Sequence, residues 1–459
     1  MLVHDGFLYR FESKNDKKTI WKCVENLKKK CKARIHTDEN SILSDVTKIS
    51  HVHFPDIAKI EAKRAMENLK ELAKKTELST QSVVATVASE LNTAVSGQMP
   101  GIPLMKRTIL RVRERENAAP GIPQSLYDLV IPEEYKKTSD GKSFLLFDSF
   151  DHDPDNCDRF LLFSTEENLQ KMSECADHWY ADGTFSCAPS IFKQLYTIHG
   201  IQCSNVLPSV YALLPNKKKK TYIRLLQSLK TLNCNLKPKT VMLDFEIGAM
   251  TAFKKEFSDI KIRGCHFHFA QSVWRHIQEC GLSKQYKEDS TFAFEIKKLN
   301  ALAYVPVDYV VRYFEYLVDT PFYRELESDL SRLLDYFEET WVGKMDRNGK
   351  RKNPKFSITI WNCYADEYNL PKTNNSVEGW HNGFSSILNA IHPNIWKFIR
   401  ALQKEEKLNR LKMVQYCIGA ETPRKRKKYN DTAERINTIC KTFNNRTFDE
   451  YMSGIAHNL

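Results

Sequence analysis

Thr240-Val241-Met242-Leu243-Asp244-Phe245-Glu246 is a short apolar run that stops on a carboxylate, and Trp179-Tyr180-Ala181-Asp182-Gly183-Thr184-Phe185 repeats the arrangement upstream. Apolar runs of this length, rich in β-branched and aromatic residues, predict buried strands. A carboxylate at the carboxyl end of such a strand lies where open α/β sheets place their site residues. Each aspartate alone reads equally well as a helix cap or a polar turn. Gly183, directly after Asp182, predicts room for close approach of a metal or of backbone.

Further strands are expected at Phe144-Leu145-Leu146-Phe147, Arg159 to Phe163, Gln194 to His199, Val206 to Leu214 and Ile260 to Arg263, with helices at Tyr222 to Leu232 and Glu246 to Phe257. The economical reading is a mixed sheet with flanking helices. Residues from about 270 to 365 read as helical, as in Val307 to Val318 and Phe322 to Phe337, and interrupt the α/β pattern. A third carboxylate, Glu378, follows in Lys372-Thr373-Asn374-Asn375-Ser376-Val377-Glu378-Gly379-Trp380-His381. Asn375, three residues earlier, reads as a capping box with Glu378 in a helix's first turn. Three carboxylates drawn together repel one another, and divalent metal is the natural compensation. Two Mg²⁺ ions about 3.5–4 Å apart would suit an in-line phosphoryl displacement.

The N-terminal region has a different grain. Phe7 to Phe11, Thr19 to Cys23 and Cys31 to His36 read as short strands of a unit too small to be stable alone. Cys23, Cys31, His51 and His53 supply two thiolates and two imidazoles, a tetrahedral zinc set that would staple it. Lys28, Lys29, Lys30, Lys32 and Arg34 crowd the second cysteine and are candidate DNA contacts. From Ile57 to Arg115 the period becomes helical in three segments, broken by Pro100-Gly101 and Pro120-Gly121. These make either a helix-turn-helix-like DNA module or a helical spacer.

Gly6-Phe7-Leu8-Tyr9, Trp21-Lys22-Cys23, Cys31-Lys32-Ala33-Arg34-Ile35 and His51-Val52-His53 resemble a FLYWCH-type zinc finger. That resemblance implies zinc on the two cysteines and two histidines, and a role in DNA or protein binding. Asp182-Gly183-Thr184-Phe185, Leu195-Tyr196-Thr197-Ile198-His199-Gly200, Asp244-Phe245-Glu246, Gly264-Cys265-His266-Phe267-His268 and Asn374 to His381 resemble a Mutator-like element (MULE) transposase over residues 140–400. This second resemblance implies an α/β ribonuclease H-like catalytic core with an all-helical insertion before the glutamate. It also implies a DDE triad of Asp182, Asp244 and Glu378 working with Mg²⁺ or Mn²⁺. Cys265 and His268 match a cysteine-histidine motif of that family and are either candidate metal ligands, with His276 and Cys280 as further donors, or packing at a strand-to-helix junction. Arg275, on the following helix, is a candidate nucleic-acid contact.

The expected organisation is multidomain: a β-rich zinc finger at 1–56, a helical linker at 57–118, the core at 140–400 with its insertion at about 270–365, and a basic C-terminal region at 401–459. The expected function is a DNA transposase acting on double-stranded transposon terminal repeats, with a homo-oligomer in the strand-transfer complex. The alternative is a domesticated, non-catalytic zinc-finger DNA-binding or transcription/chromatin regulator on the same fold. The runner-up enzymatic reading, a ribonuclease acting on RNA–DNA hybrids, uses similar metal chemistry but explains the finger and the insertion less well.

Whole-chain features fit a polyanionic partner. Across 459 residues, 69 basic and 57 acidic side chains give a net charge of +12. No apolar run approaches a membrane span, and charges at His4, Asp5 and Arg10 predict no secretory signal. The 12 cysteines are spread as in a chain from a reducing compartment. Lys217 to Lys220 reads as phosphate-contacting or merely solvated, and Arg424-Lys425-Arg426-Lys427-Lys428 reads as a nuclear-import signal.

Overall fold

Four short antiparallel strands open the chain in sheet order: β1 (Leu2–His4), β2 (Phe7–Lys14), β3 (Thr19–Cys23) and β4 (Arg34–Thr37). Asp5 and Gly6, with φ of 45° and 79°, form the tight β1–β2 turn, which requires two left-handed residues. The strand expected at Cys31 to His36 starts only at Arg34, because Cys31 and Ala33 are turned into the small core beside Tyr9 and Cys23. This computed structural model describes all residues except 16–17, 39–48, 77, 117–119, 155, 204, 365–369 and 420–426. The chain divides into two units, Met1–Gly121 and Ile122–Leu459.

The β half-barrel is followed in the first unit by α1 (Ile57–Lys75), α2 (Thr80–Ser89) and α3 (Ile102–Glu116), with a single helical turn at Thr93–Ser96. Asp56 and Ser79 cap α1 and α2 through their side-chain oxygens. Leu69, Val83, Val87 and Ile109 meet at the centre of the three helices. Arg113 of α3 donates to the carbonyls of Ala73, Thr76 and Leu78, satisfying acceptors that the end of α1 would otherwise leave bare.

The second unit is built on seven strands: β5 (Leu145–Asp148), β6 (Leu161–Phe163), β7 (His178–Thr184), β8 (Gln194–Gln202), β9 (Asn205–Leu214), β10 (Thr240–Leu243) and β11 (Lys261–Gly264). Their order is β11-β10-β7-β8-β9-β6-β5; β7, β10 and β11 are mutually parallel and every other pairing is antiparallel. Strands β8 and β9 are buried on both faces along nearly their whole length, as a helix-covered sheet demands. Leu162, Ala181, Ile198, Val241 and Leu243 face one side, where α4 (Glu166–Cys175), α5 (Lys219–Leu232) and α6 (Ile247–Glu256) pack.

The interrupting stretch is helical, as expected: α7 (His266–Glu279), α8 (Ser290–Ala301), α9 (Val310–Val318) and α10 (Glu327–Phe337) surround Phe269, Trp341 and Trp361. The opposite side of the sheet, with Leu161, Phe163, Tyr211 and Leu213, is covered by α11 (Asn375–Leu388) and α12 (Ile395–Cys417). Trp396, Phe398 and Ile399 are core residues there. Helix α12 runs unbroken through residue 400. Beyond it, α13 (Lys427–Lys441) and α14 (Phe448–Ala456) return to the helical stretch, where the Tyr451 hydroxyl donates to the Tyr304 carbonyl. At the sheet's far edge buried Arg159 holds Asp148 and donates to the carbonyls of Leu126 and Leu129. Among the described residues, no helix is long and apolar enough to cross a membrane.

Candidate functional site

In the first unit Cys23 ends β3, Cys31 lies in the loop before β4, and His51 and His53 return from the chain after it. One ligand atom from each lies within 4.8 Å of all the others. Cys23 Sγ is 3.3 Å from His53 Nε2, and Cys31 Sγ is 3.4 Å from His51 Nδ1. A tetrahedral zinc with its usual bond lengths would set sulfur and nitrogen about 3.6 Å apart, so these pairs sit near two edges of a zinc tetrahedron.

The remaining ring nitrogens are also provided for. His51 Nε2 lies 2.7 Å from the Tyr9 hydroxyl, and His53 Nδ1 lies 2.9 Å from the Phe54 carbonyl oxygen. Partners of this kind fix the tautomer of a metal-binding histidine. Phe7 stacks flat on His51 at 3.6 Å. The donor set and its supports make a Cys₂His₂ cluster suited to Zn²⁺.

Around it Lys28, Lys29, Lys30 and Lys32 are exposed, as phosphate contacts must be. Arg34 is committed within the chain: its Nε donates to Glu12 at 2.6 Å, and Arg34 followed by Lys22 holds that carboxyl down at about 2.

In the second unit, strand register makes the site. Tyr180 pairs with Met242 across β7 and β10, and Leu243 pairs with Gly264 across β10 and β11. Continuing the parallel register by two residues sets Asp182 beside Asp244; continuing it by one sets Asp244 beside Cys265. Strand alternation sends Asp182 away from the face of Ala181 and toward α11. There Asp182 Oδ2 lies 3.6 Å from His381 Nδ1.

His268, in the first turn of α7, reaches back over the strand ends. Its Nδ1 is 2.7 Å from Asp244 Oδ1, and its Nε2 is 3.8 Å from Glu378 Oε1. The shorter approach is poorly aligned, so both atoms are buried without a hydrogen bond. Burial opposes charge on His268, but Asp244 and then Cys265 outweigh it and push the imidazole up to about 10. Asp182 moves the other way from an ordinary carboxyl: burial first, then the charge of Asp244, raises it. Among the described residues the Cys₂His₂ group is the one set gathered tightly enough for a metal ion; between Asp244 and Glu378 stands an imidazole.

Three expectations are corrected here. The space at Gly183 belongs to Gln194, whose Oε1 would lie 2.3 Å from an added Cβ, and no metal is needed to explain the glycine. Asn375 is not a capping residue: the helix begins there, and Asn374 holds the cap position without a side-chain hydrogen bond. His276 stacks on Tyr336 at 3.3 Å and pairs with Glu279, so it does not extend a Cys265–His268 ligand set.

Cys265 itself is buried and accepts a hydrogen bond from the Asn374 backbone at 3.2 Å, which joins β11 to the start of α11. Arg275 is exposed on α7. Arg424, Lys425 and Arg426 lie outside the described residues; Lys427 and Lys428 begin α13.

Sequence reasoning missed a buried polar chain behind Asp182. His381 Nε2 lies 3.3 Å from Thr197 Oγ1, which lies 3.0 Å from His199 Nε2. Burial lowers His381 to about 4 and pushes His199 well below its ordinary value, favouring the neutral ring at both. Helical spacing was the available signal, since His381 is three residues after Glu378 and shares its side of α11.

Comparison with known proteins agrees with this division. A family described as the FLYWCH zinc finger domain matches residues 1–53, and one described as the MULE transposase domain matches residues 178–272. Both domains are present in this chain. The second match contains Asp182, Asp244, Cys265 and His268 and ends before Glu378. Among curated proteins, FLYWCH-type zinc finger-containing protein 1 of Homo sapiens is 38% identical over 68 residues. That similarity covers 15% of this chain and 9% of the human protein.

Proposed function

We propose that the second unit is a ribonuclease H-like DDE core that cuts and joins DNA strands, with Asp182, Asp244 and Glu378 as its carboxylates. The observation that carries this reading is convergence. Residues far apart in the sequence face one imidazole, Asp244 at 2.7 Å and Glu378 at 3.8 Å, while strand register sets Asp182 beside Asp244. The strand order β9-β8-β7-β10-β11, antiparallel as far as β7 and parallel beyond it, supports the fold assignment.

The residues fit Mg²⁺ or Mn²⁺. Asp182, raised by burial and then by the charge of Asp244, would be relieved by a divalent cation, which would have to displace or share Asp244 with the His268 imidazole 2.7 Å away. Bound there, the metal would activate water or a 3′-hydroxyl and stabilise the departing oxygen. Gly183 N–H donates to the Asp182 Oδ1 at 2.7 Å, and His381, held by Thr197, stands 3.6 Å behind its other oxygen.

The finger, through Lys28, Lys29, Lys30 and Lys32, and the helices of the first unit would hold duplex DNA at transposon ends, with a homo-oligomer pairing two ends. The basic run Arg424 to Lys428 would direct nuclear import. Replacing all five residues with alanine should leave a fluorescent fusion cytoplasmic, and unchanged nuclear accumulation would refute that role.

One observation favours a second reading, a non-catalytic DNA-binding regulator on the same fold. An imidazole pushed up to about 10 already supplies a counter-charge to the carboxylates without any metal. A cleavage and joining assay on DNA carrying the element's own terminal sequence separates the two. The expected result is Mg²⁺- or Mn²⁺-dependent nicking by the wild type, abolished in Asp244→Asn with duplex binding retained. Equal activity in both proteins would refute the mechanism, and a DNA-binding but inactive wild type would select the regulator.

A further inference from the structure

Outside both sites, the thiols of Cys203 and Cys417 lie 3.5 Å apart and are both exposed, although 214 residues separate them in the chain. Cys203 occupies the tight turn between β8 and β9, with φ of 46°. That left-handed conformation favours glycine or asparagine, and a cysteine holds it at some cost in strain. Its strained backbone aims the sulfur at Cys417, the last residue of α12. Cys417 first, and less strongly a third exposed thiol, Cys175 at the end of α4, push the Cys203 thiol up from its ordinary value. Neither Cys203 nor Cys417 belongs to the zinc cluster or to the carboxylate centre.

We infer that Cys203 and Cys417 are a redox modification site, forming a reversible disulfide that fastens the end of α12 to the β8–β9 turn. The oxidant is a low-molecular-weight disulfide such as oxidised glutathione. The thiolate of one cysteine attacks it, forming a mixed disulfide and releasing one glutathione thiol. The second cysteine, as its thiolate, then attacks the protein-side sulfur, forms the Cys203–Cys417 bond and releases the second glutathione thiol. Two protein thiols are oxidised and one glutathione disulfide is reduced, so protons and electrons balance. The sulfurs need to close from 3.5 Å to a bond length of about 2.05 Å, a shift within reach of side-chain rotation and a turn.

The bridge would bear on the helix pair above the sheet. Glu405 of α12 accepts the indole N–H of Trp380 at 2.8 Å, and Trp380 stands two residues beyond Glu378 on α11.

The test uses the full chain loaded with zinc, with metal content followed throughout so that Cys23 and Cys31 stay engaged. The protein is equilibrated in mixtures of reduced and oxidised glutathione, quenched in acid, alkylated and digested for mass spectrometry. Alkylation of Cys203 and Cys417 should be lost together as the buffer becomes oxidising, and a peptide pair joining them should appear. Cys203→Ser and Cys417→Ser should each abolish that pair, and Cys157→Ser should leave it unchanged. Alkylation of Cys203 and Cys417 in step with exposed Cys157 and Cys234 at every ratio would overturn the inference. So would a bridge from Cys203 to Cys175, or glutathione adducts that never resolve to the protein disulfide.

Discussion

The two polar centres of this molecule are assembled in opposite ways. At the finger the ligands come from short strands and loops around a core of a few residues, yet the sulfurs and nitrogens stand near tetrahedral spacing, each histidine with its second nitrogen engaged. At the carboxylate centre the scaffold is a seven-stranded sheet packed on both faces, yet the acidic groups are held around an imidazole. So small a core cannot offset the entropy of ordering the chain, and the finger's shape is expected to depend on a zinc ion bound by these ligands. The core's shape depends on its apolar strands and helices, and any metal there would serve chemistry and not folding.

The largest effect should come from breaking the finger. Zinc in small Cys/His modules contributes on the order of 10–16 kcal/mol of apparent binding energy. Cys23→Ser should lose one zinc equivalent and the hydrogen-exchange protection of β1 to β4, with the strands of the second unit unchanged. Retention of stoichiometric zinc would contradict the ligand set.

Next in size is the buried Arg159–Asp148 pair of the core. Asp148→Ala would strand a buried guanidinium left with the Leu126 and Leu129 carbonyls and the Phe150 ring but no counter-charge, at a cost of about 3–5 kcal/mol. Denaturant unfolding of the second unit should shift accordingly, while zinc content stays the same. A midpoint unchanged from wild type would show that the sheet edge does not depend on the pair.

A smaller change sharpens the comparison within the finger. Tyr9→Phe removes the partner of His51 Nε2 and should weaken zinc about 10- to 100-fold in a chelator competition, with the ligands all still present. Unaltered affinity would mean that the Phe7 stack alone orients the ring.

The sequence revealed the two centres to different depths. Thiolates and imidazoles are scarce and chemically pointed, so Cys23, Cys31, His51 and His53 could be picked out one by one. The strands were legible because Val241-Met242-Leu243 and the β9 run are largely apolar and β8 is rich in aromatic and β-branched residues. Asp182 and Asp244 could be placed at strand ends, but their adjacency depends on which strands pair and in what register. Spacing along the chain does not encode that.

The same limit hid other contacts. His268 lying between Asp244 and Glu378 joins elements distant in sequence, and so do His381 with Thr197, and Cys203 with Cys417. Gln194 filling the space at Gly183 depends on the register of two neighbouring strands. The capping reading of Asn375 failed for a local reason: the helix starts one residue earlier than the Asn-to-Glu spacing implied, and Asn374 occupies the cap without using its side chain.

The central claim is that the carboxylate centre takes up a divalent metal in a core that is folded without it. Mn²⁺ titration of the zinc-loaded full chain, followed by the electron paramagnetic resonance signal of free Mn²⁺, tests it directly. The account expects Mn²⁺ uptake by the wild type that is lost in Asp244→Asn and in Glu378→Gln, with the circular dichroism of all three proteins the same. Equal uptake by wild type and Asp244→Asn, or no uptake by a folded wild type, would contradict it.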